Sequence, residues 1–188
     1  MPHYLNLALV PEDEDFASSC LEFANRHFAG IADVYLLGEN CLPHVTLCQF
    51  RGDSERLGSL RSECENSFPH SLELKPTHFY IRPGRGRHTG HLWLGLAIEP
   101  SSELLECQRR VVALLSGLAF ETQTPASEYF PHLSMARCGS EAEVGALRLA
   151  WDSKLFQKSS FKVALALSNP DGVMLKTLGC ASDWKHLR

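Results

Sequence analysis

The sequence predicts an α+β fold made of two similar halves. Each half carries helical apolar periodicity and several short strand-like segments, and no linker-like stretch separates the halves. Each half also contains the same short pattern of proline, histidine, apolar residue, hydroxyl residue and apolar residue. A motif that occurs once in each half indicates an internal duplication. We therefore expect a single domain, residues 1–188, built from two pseudo-symmetric lobes.

The first half begins with an alternating apolar segment over 4–10, which predicts a strand. Pro11 and the acidic residues after it start a helical pattern that runs to about Phe28. The remaining elements of this half are predicted from short apolar runs bounded by turn residues and from one amphipathic pattern. They are strands at 34–37, 44–50, 72–74 and 78–81, and a helix over 53–65.

The second half begins after a loop of glycine, proline and arginine at 82–87. A strong strand pattern over 91–98 follows this loop, so the strands on its two sides are predicted to form a hairpin. The stretch from Pro100 to Glu103 is a favourable helix start, and the helix should end near Gly117. The remaining predicted elements are a helix over 141–149 and strands at 132–138, 161–167 and 173–178.

Composition and charge exclude several classes of protein. The chain of 188 residues is 44% hydrophobic and 21% charged, as ordinary globular domains are, so disordered, collagenous and coiled-coil structures are excluded. The net charge of -4 argues against a protein that coats long stretches of duplex nucleic acid. A small phosphorylated ligand remains compatible with this charge.

The cysteines and the apolar segments indicate the cellular location of the protein. Seven scattered cysteines, none closer than seven residues apart, lack the spacing of zinc or redox motifs. The segment 1–10 has no positive leader and is interpreted as a strand, and the apolar stretch 111–120 is about half the roughly 20 residues of a membrane span. We therefore expect a cytoplasmic protein with reduced thiols, no membrane association and a monomeric state.

The repeated pattern is Pro43-His44-Val45-Thr46-Leu47 in the first half and Pro131-His132-Leu133-Ser134-Met135 in the second. On a strand, residues two apart share a face, so each copy presents an imidazole and a hydroxyl side by side. One copy in each lobe would place two histidines and two hydroxyls around one pocket.

Two histidines on opposite sides of a phosphorus atom suit the opening of a cyclic phosphodiester. One histidine can deprotonate water while the other protonates the departing ribose oxygen, and an ordinary pKa near 6.5 suits both tasks. The hydroxyls of Thr46 and Ser134 can donate to the non-bridging phosphoryl oxygens without a metal ion. The predicted catalytic residues are therefore His44, Thr46, His132 and Ser134, with no metal and no cofactor.

At these residues the sequence resembles the two-histidine (2H) phosphoesterase superfamily, particularly the branch of bacterial 2'-5' RNA ligases and RNA 2',3'-cyclic phosphodiesterases. Further blocks occur in the order of the family and cover most of the chain; they are 5–11, 91–96, the helix up to residue 117, and 130–137. The resemblance implies a bilobal α+β fold in which antiparallel sheets line a central cleft.

The resemblance also implies roles for individual residues. His132 would be the base and His44 the acid, Thr46 and Ser134 would hold the phosphate, and Arg137 would contact the nucleotide. The implied substrates are RNA ends with a 2',3'-cyclic phosphate or small cyclic nucleotides, which hydrolysis converts to 2'-phosphates. Attack by a 5'-hydroxyl in place of water would give 2'-5' RNA ligation.

Some positions depart from the family pattern or add to it. Ser134 stands where threonine is usual and keeps the hydroxyl. Asn6 stands near an aromatic position of the first strand; it is a candidate substrate contact that cannot stack on a base. Arg85 belongs to a basic loop that either guides a polyanion to the cleft or forms a solvated hairpin tip.

Two alternative functions remain open. One is a non-catalytic module of the same fold that binds RNA ends or nucleotides. The other is a zinc-dependent hydrolase that uses His44 and His132 with further histidines. Persistence of activity in a chelator would exclude the second alternative.

Overall fold

The computed structural model describes residues 3–38, 41–53, 56–124, 128–139, 144–145, 149 and 152–180. Within these ranges there are three α-helices: α1 Glu14–Phe28, α2 Leu57–Ser67 and α3 Ser102–Gly117. The ten strands of the same ranges are β1 His3–Pro11, β2 Ala32–Leu36, β3 Val45–Gly52, β4 Leu72–Leu74, β5 Pro76–Pro83, β6 Leu92–Ile98, β7 Glu121–Thr122, β8 His132–Cys138, β9 Ser159–Ser168 and β10 Met174–Cys180.

The strands form one open antiparallel sheet. Its order is β10-β9-β1-β3-β8-β6-β5, with β2 beside β8, β4 beside β9 and β7 beside β3. The motif strands β3 and β8 are joined through the pair Val45 and Leu133. The sheet therefore has two groups of strands, one ending in β3 and one ending in β8, which meet where the two motifs begin.

The order strand, helix, short strand, motif strand occurs twice, as β1-α1-β2-β3 and as β6-α3-β7-β8. In each copy the first strand pairs with the motif strand of its own half. The short strand crosses over and pairs with the motif strand of the other half, β2 with β8 and β7 with β3. The predicted α+β fold class is confirmed, and the two halves are interlocked.

The helices cover one face of the sheet. The Asp13 side chain caps α1 by accepting from the backbone N–H groups of Asp15 and Phe16, and Ser101 caps α3 by accepting from Leu104. Helix α1 packs against β8 and α3 against β3, and the apolar side chains of the helices join those of the strands in one core. The motif residues that face this core are fully buried, and they are Val45, Leu47, Leu133 and Met135.

Most predicted elements are confirmed within one to three residues, including the hairpin of β5 and β6. Helix α2 begins at Leu57, later than predicted, and Arg56 before it provides no side-chain cap. The two-residue strand β7 was not predicted because so short a segment carries no periodicity. The predicted helix over 141–149 lies mostly outside the described residues. Among the described helices, none is long and apolar enough to span a membrane.

Candidate active site

The four motif side chains come together in one open cavity of about 640 Å³, whose lining includes His44, Thr46, His132 and Ser134. The antiparallel pair of Val45 and Leu133 explains this arrangement. Both of these residues face the core, so the residues on either side of each one face the opposite surface. The sequence prediction that the two motifs share a pocket therefore agrees with the geometry.

Each motif strand carries an irregularity at the same motif position. The register between β1 and β3 shifts so that Leu47 has no partner, since Leu7 pairs with Cys48 and Ala8 with Thr46. The register between β6 and β8 shifts in the same way at Met135. Such a bulge increases local twist and redirects the following side chains. The duplication thus extends to backbone detail at the cavity.

The two histidines are held by the same local hydrogen bond. The Nδ1 of His44 lies 2.7 Å from the backbone oxygen of Leu42, and the Nδ1 of His132 lies 2.7 Å from that of Phe130. A carbonyl oxygen can only accept, so Nδ1 carries the hydrogen in both rings. In the neutral rings Nε2 is therefore the nitrogen that can accept a proton from a substrate or water.

Burial changes the proton affinity of both histidines. Burial lowers the pKa of His44 and the charge of His132 lowers it further, while hydrogen bonding to the Leu42 and Gly172 backbone acts in the opposite direction. Burial also lowers the pKa of His132, and the hydrogen bond to Phe130 opposes this change. In the free protein both rings therefore favour the neutral form, and an anionic phosphate would favour protonation.

Aromatic rings hold His132 on two sides. The ring of Phe130 is stacked on it at a centroid distance of 5.4 Å, and Tyr80 meets it edge-on at 5.3 Å. The guanidinium carbon of Arg82 lies 3.5 Å from the centroid of the Phe130 ring. The positive charge of Arg82 also lowers the pKa of His132. Sequence reasoning missed Tyr80 and Arg82, because the predicted strand ended at residue 81 and Arg82 was assigned to the loop, whereas β5 continues to Pro83 and carries both residues.

A tyrosine hydroxyl contacts the second motif directly. Tyr80 Oη lies 2.9 Å from Ser134 Oγ, and Tyr35 Oη donates to the Ser134 backbone oxygen at 3.3 Å. Burial raises the pKa of Tyr80, while the hydrogen bond to Ser134 opposes this change. The phenol therefore keeps its proton at neutral pH.

The cations that line the cavity differ in their partners. Arg85 forms an ion pair with Glu128 at 2.8 Å, and Arg87 forms one with Asp171 at 3.1 Å. Arg82 also lines the cavity, and within the described residues it has no carboxylate partner. Arg82 is thus the lining arginine that can meet an incoming anion without first giving up a carboxylate.

Arg137 does not line the cavity, although it was predicted to contact the nucleotide. Its Nε and Nη2 donate to the two carboxylate oxygens of Asp33 at 2.9 and 3.0 Å. Its Nη1 lies 2.9 Å from Nδ1 of His88, a residue that does line the cavity. Arg137 therefore supports the cavity wall from behind.

Asn6 also lies behind the wall. It is fully buried, and its Nδ2 donates to the backbone oxygen of Gly172, which lines the cavity. Its Oδ1 has no hydrogen-bond partner among the described residues. Arg85, the third predicted substrate contact, does line the cavity.

No protein-family model matches the chain, and no curated protein sequence matches it. Solved structures do match. The crystal structure of E. coli LigT complexed with 3'-AMP has a TM-score of 0.65 at 17% identity, covering 96% of this chain and 97% of that chain. LigT complexed with phosphate has a TM-score of 0.62 at 16% identity, covering 95% and 96%. A crystal structure described as a phosphoesterase has a TM-score of 0.59 at 14% identity, covering 96% and 97%. The fold that the sequence resemblance implied is therefore the fold observed.

Proposed function

We propose that this chain is a metal-independent phosphoesterase that hydrolyses ribose 2',3'-cyclic phosphates, at RNA ends or in nucleotides, to 2'-phosphates. The observation that carries the proposal is the pair of histidines on one cavity, each with Nδ1 bound to a backbone carbonyl. Each histidine is accompanied by a hydroxyl two residues later on the same strand. This set supplies a base, an acid and two hydrogen-bond donors to one phosphate.

The reaction uses the two imidazoles in opposite senses. Nε2 of His132 accepts a proton from water as the water oxygen bonds to phosphorus in line with the departing oxygen. The bond between phosphorus and the ribose 3'-oxygen breaks, and that oxygen takes the proton from Nε2 of His44. The product is a 2'-phosphate with a free 3'-hydroxyl, and solvent returns the proton from His132 to His44. The assignment of base and acid follows the family resemblance.

The two motif hydroxyls and Arg82 act on the phosphoryl group. Thr46 and Ser134 donate to the non-bridging oxygens, whose negative charge grows in the transition state. Arg82, which has no carboxylate partner among the described residues, adds a positive charge to the cavity that receives this anion. The complexes of LigT with 3'-AMP and with phosphate are consistent with a nucleotide or phosphate ligand on this fold.

The same geometry supports 2'-5' ligation, in which an RNA hydroxyl attacks phosphorus in place of water. If an RNA 5'-hydroxyl replaces water, its proton passes to His132 and its oxygen bonds to phosphorus. The 3'-oxygen again leaves with the proton from His44, and a 2'-5' linkage results. Water at its solution concentration competes with this attack, so hydrolysis dominates in dilute solution.

The test is turnover of 2',3'-cyclic AMP and of an RNA oligomer ending in a 2',3'-cyclic phosphate, both with EDTA present. We expect release of the 2'-phosphate in both reactions. Tight binding without turnover would replace this proposal with the nucleotide-binding module. Activity that disappears in EDTA and returns with zinc would replace it with a metal-dependent hydrolase.

The cysteines support a cytoplasmic location as part of the proposal. The six cysteines whose side chains are described are all buried and free of disulfides. Burial raises the pKa of Cys48 to about 11 and that of Cys64 and Cys107 to about 12. These thiols suit a compartment in which they stay reduced.

A further inference from the structure

We infer that Tyr80 is a positioning residue for the Ser134 hydroxyl. Thr46, the equivalent residue of the other half, is restrained by its own methyl group, and the Tyr80 phenol provides the corresponding restraint to Ser134. The inference rests on the proposed function, in which both hydroxyls donate to the phosphoryl group. It follows from a difference between the two motifs within this chain. The described contacts of Tyr80, Gly95 and Ser134 carry it.

The two hydroxyl residues differ in side-chain freedom. Thr46 is β-branched, so its χ1 is restricted, whereas the hydroxymethyl group of serine rotates among three staggered positions. A donor that must be aimed at a developing charge gains from being held in advance. Ser134 therefore needs a restraint from a neighbour that Thr46 does not need.

Among the described strands, a neighbouring side chain in the row across the sheet provides this restraint in the second half only. Ser134 pairs with Gly95 on β6, and Gly95 pairs with Tyr80 on β5, so the three residues form a row across the sheet. The equivalent row from Thr46 runs through Ala8 on β1 to Ala164 on β9. The second row contains two methyl groups and no hydrogen-bonding side chain beside Thr46.

Gly95 creates the space through which Tyr80 reaches Ser134. A Cβ atom at this position would overlap the backbone oxygen of Leu133 and would lie 2.9 Å from Cε1 of Tyr80. Without that atom the tyrosine ring crosses the glycine and places Oη 2.9 Å from Ser134 Oγ. The same ring packs edge-on against His132 and Phe130, which prevents it from turning away.

The direction of this hydrogen bond decides what Ser134 can do. When Tyr80 donates to Ser134 Oγ, the serine hydrogen is free to donate to a phosphoryl oxygen. Tyr80 is nearly fully buried beside the cavity and packs edge-on against His132 and Phe130, so its hydroxyl lies beside Ser134 before substrate binds. Tyr80 thus acts through Ser134 and does not take part in the proton transfers.

The experiment measures kcat and KM on 2',3'-cyclic AMP for Tyr80→Phe, with and without Ser134→Thr. We expect Tyr80→Phe to lower kcat about ten-fold, with KM changed less than about two-fold and the melting temperature close to that of the wild type. Because threonine supplies its own restraint, Ser134→Thr should restore most of the lost kcat. Tyr35→Phe is the matched comparison, since that phenol bonds the backbone of Ser134; its loss should be smaller.

If threonine does not fit at position 134, a double-mutant cycle with Ser134→Ala tests the inference instead. If Tyr80 acts through the serine hydroxyl, Tyr80→Phe lowers kcat no further once that hydroxyl is gone. Equal losses in the wild-type and Ser134→Ala backgrounds would overturn the inference, as would equal losses for Tyr80→Phe and Tyr35→Phe. If the wild type turns over the substrate and Tyr80→Phe is fully active, this inference alone is overturned. If the wild type shows no turnover, the proposed function is overturned as well.

Discussion

Val45 and Leu133 form an antiparallel pair at the junction of the two motif strands. An antiparallel pair has local two-fold symmetry, and both of these residues face the core, so the histidine and the hydroxyl residue of each motif face the opposite surface. The imidazoles and hydroxyls of both halves therefore line the same cavity. In the proposed function, residues from both halves surround one phosphate, which agrees with the contribution of both copies of the motif to one cavity.

The first prediction concerns the two histidines. His44→Asn and His132→Asn should each lower kcat about 10²- to 10⁴-fold, the range expected for loss of one acid or base. The double variant should lose much less than the product of the two single losses, because the residues act as a unit. Measurement of kcat for the three variants, with melting temperatures to verify folding, checks this expectation.

An exposed histidine on strand β5 provides the matched control. His78 bonds to Thr77 and does not line the cavity, so His78→Asn should keep wild-type kcat. If His44→Asn and His132→Asn retained wild-type rates too, the acid and base roles would be refuted.

The second prediction is the pH dependence of kcat/KM. The pKa values of His44 and His132 lie below 6.5 in the free protein, chiefly because both rings are buried. The singly protonated pair required for catalysis is then populated mainly below pH 6.5, and it becomes scarcer as pH rises. We expect a bell-shaped profile with its maximum below pH 6.5. The profile of kcat should peak at higher pH, because bound phosphate favours the protonated ring; a kcat/KM maximum above pH 7.5 would contradict this reasoning.

The third prediction concerns Arg82. Its charge lowers the pKa of His132, so Arg82→Gln should move the limb of the pH profile that reports His132 to higher pH. KM should rise about ten-fold or more, the order expected when one hydrogen bond to a charged group is lost. Arg85→Gln is the comparison, and it should raise KM less because Arg85 is already paired with Glu128. Equal increases for the two variants would show that the pairing makes no difference.

The fourth prediction concerns the stability given by Asp33. Burial opposes ionisation of Asp33, but the hydrogen bond from Arg137 and that from the Val34 N–H outweigh it and lower the pKa. A carboxyl with a lowered folded-state pKa stabilises the protein above its unfolded pKa and loses this effect as pH falls. Asp33→Asn should therefore cost about 1–3 kcal/mol at pH 7, with a smaller difference from the wild type below about pH 4. Urea unfolding at both pH values measures the change.

Much of the fold could be predicted because local patterns determine it. Alternating apolar residues predicted the strands, and the proline before each motif histidine marked the two equivalent sites. The contacts of Arg137 could not be predicted, because the bulge at Met135 changes which face the later residues of β8 occupy and because its partner Asp33 is distant in sequence. The role of Tyr80 required the register of three strands, and that register depends on long-range pairing.

The last prediction tests the space at Gly95. Gly95→Ala places a methyl group against the Leu133 backbone and the Tyr80 ring, so the strands or the ring must move. We expect a loss of about 1–3 kcal/mol in the free energy of unfolding, typical of an overpacked site. Gly58→Ala in helix α2 is the matched control; its Cβ would meet nothing within 4 Å, so stability should stay the same or rise by up to about 1 kcal/mol.

If displacement of Tyr80 releases Ser134, the folded Gly95→Ala protein also loses kcat, and adding Tyr80→Phe to it lowers kcat no further. Measurement of kcat at a temperature where both proteins are folded separates this effect from unfolding, and full kcat in Gly95→Ala would show that the row across the sheet does not control the serine hydroxyl.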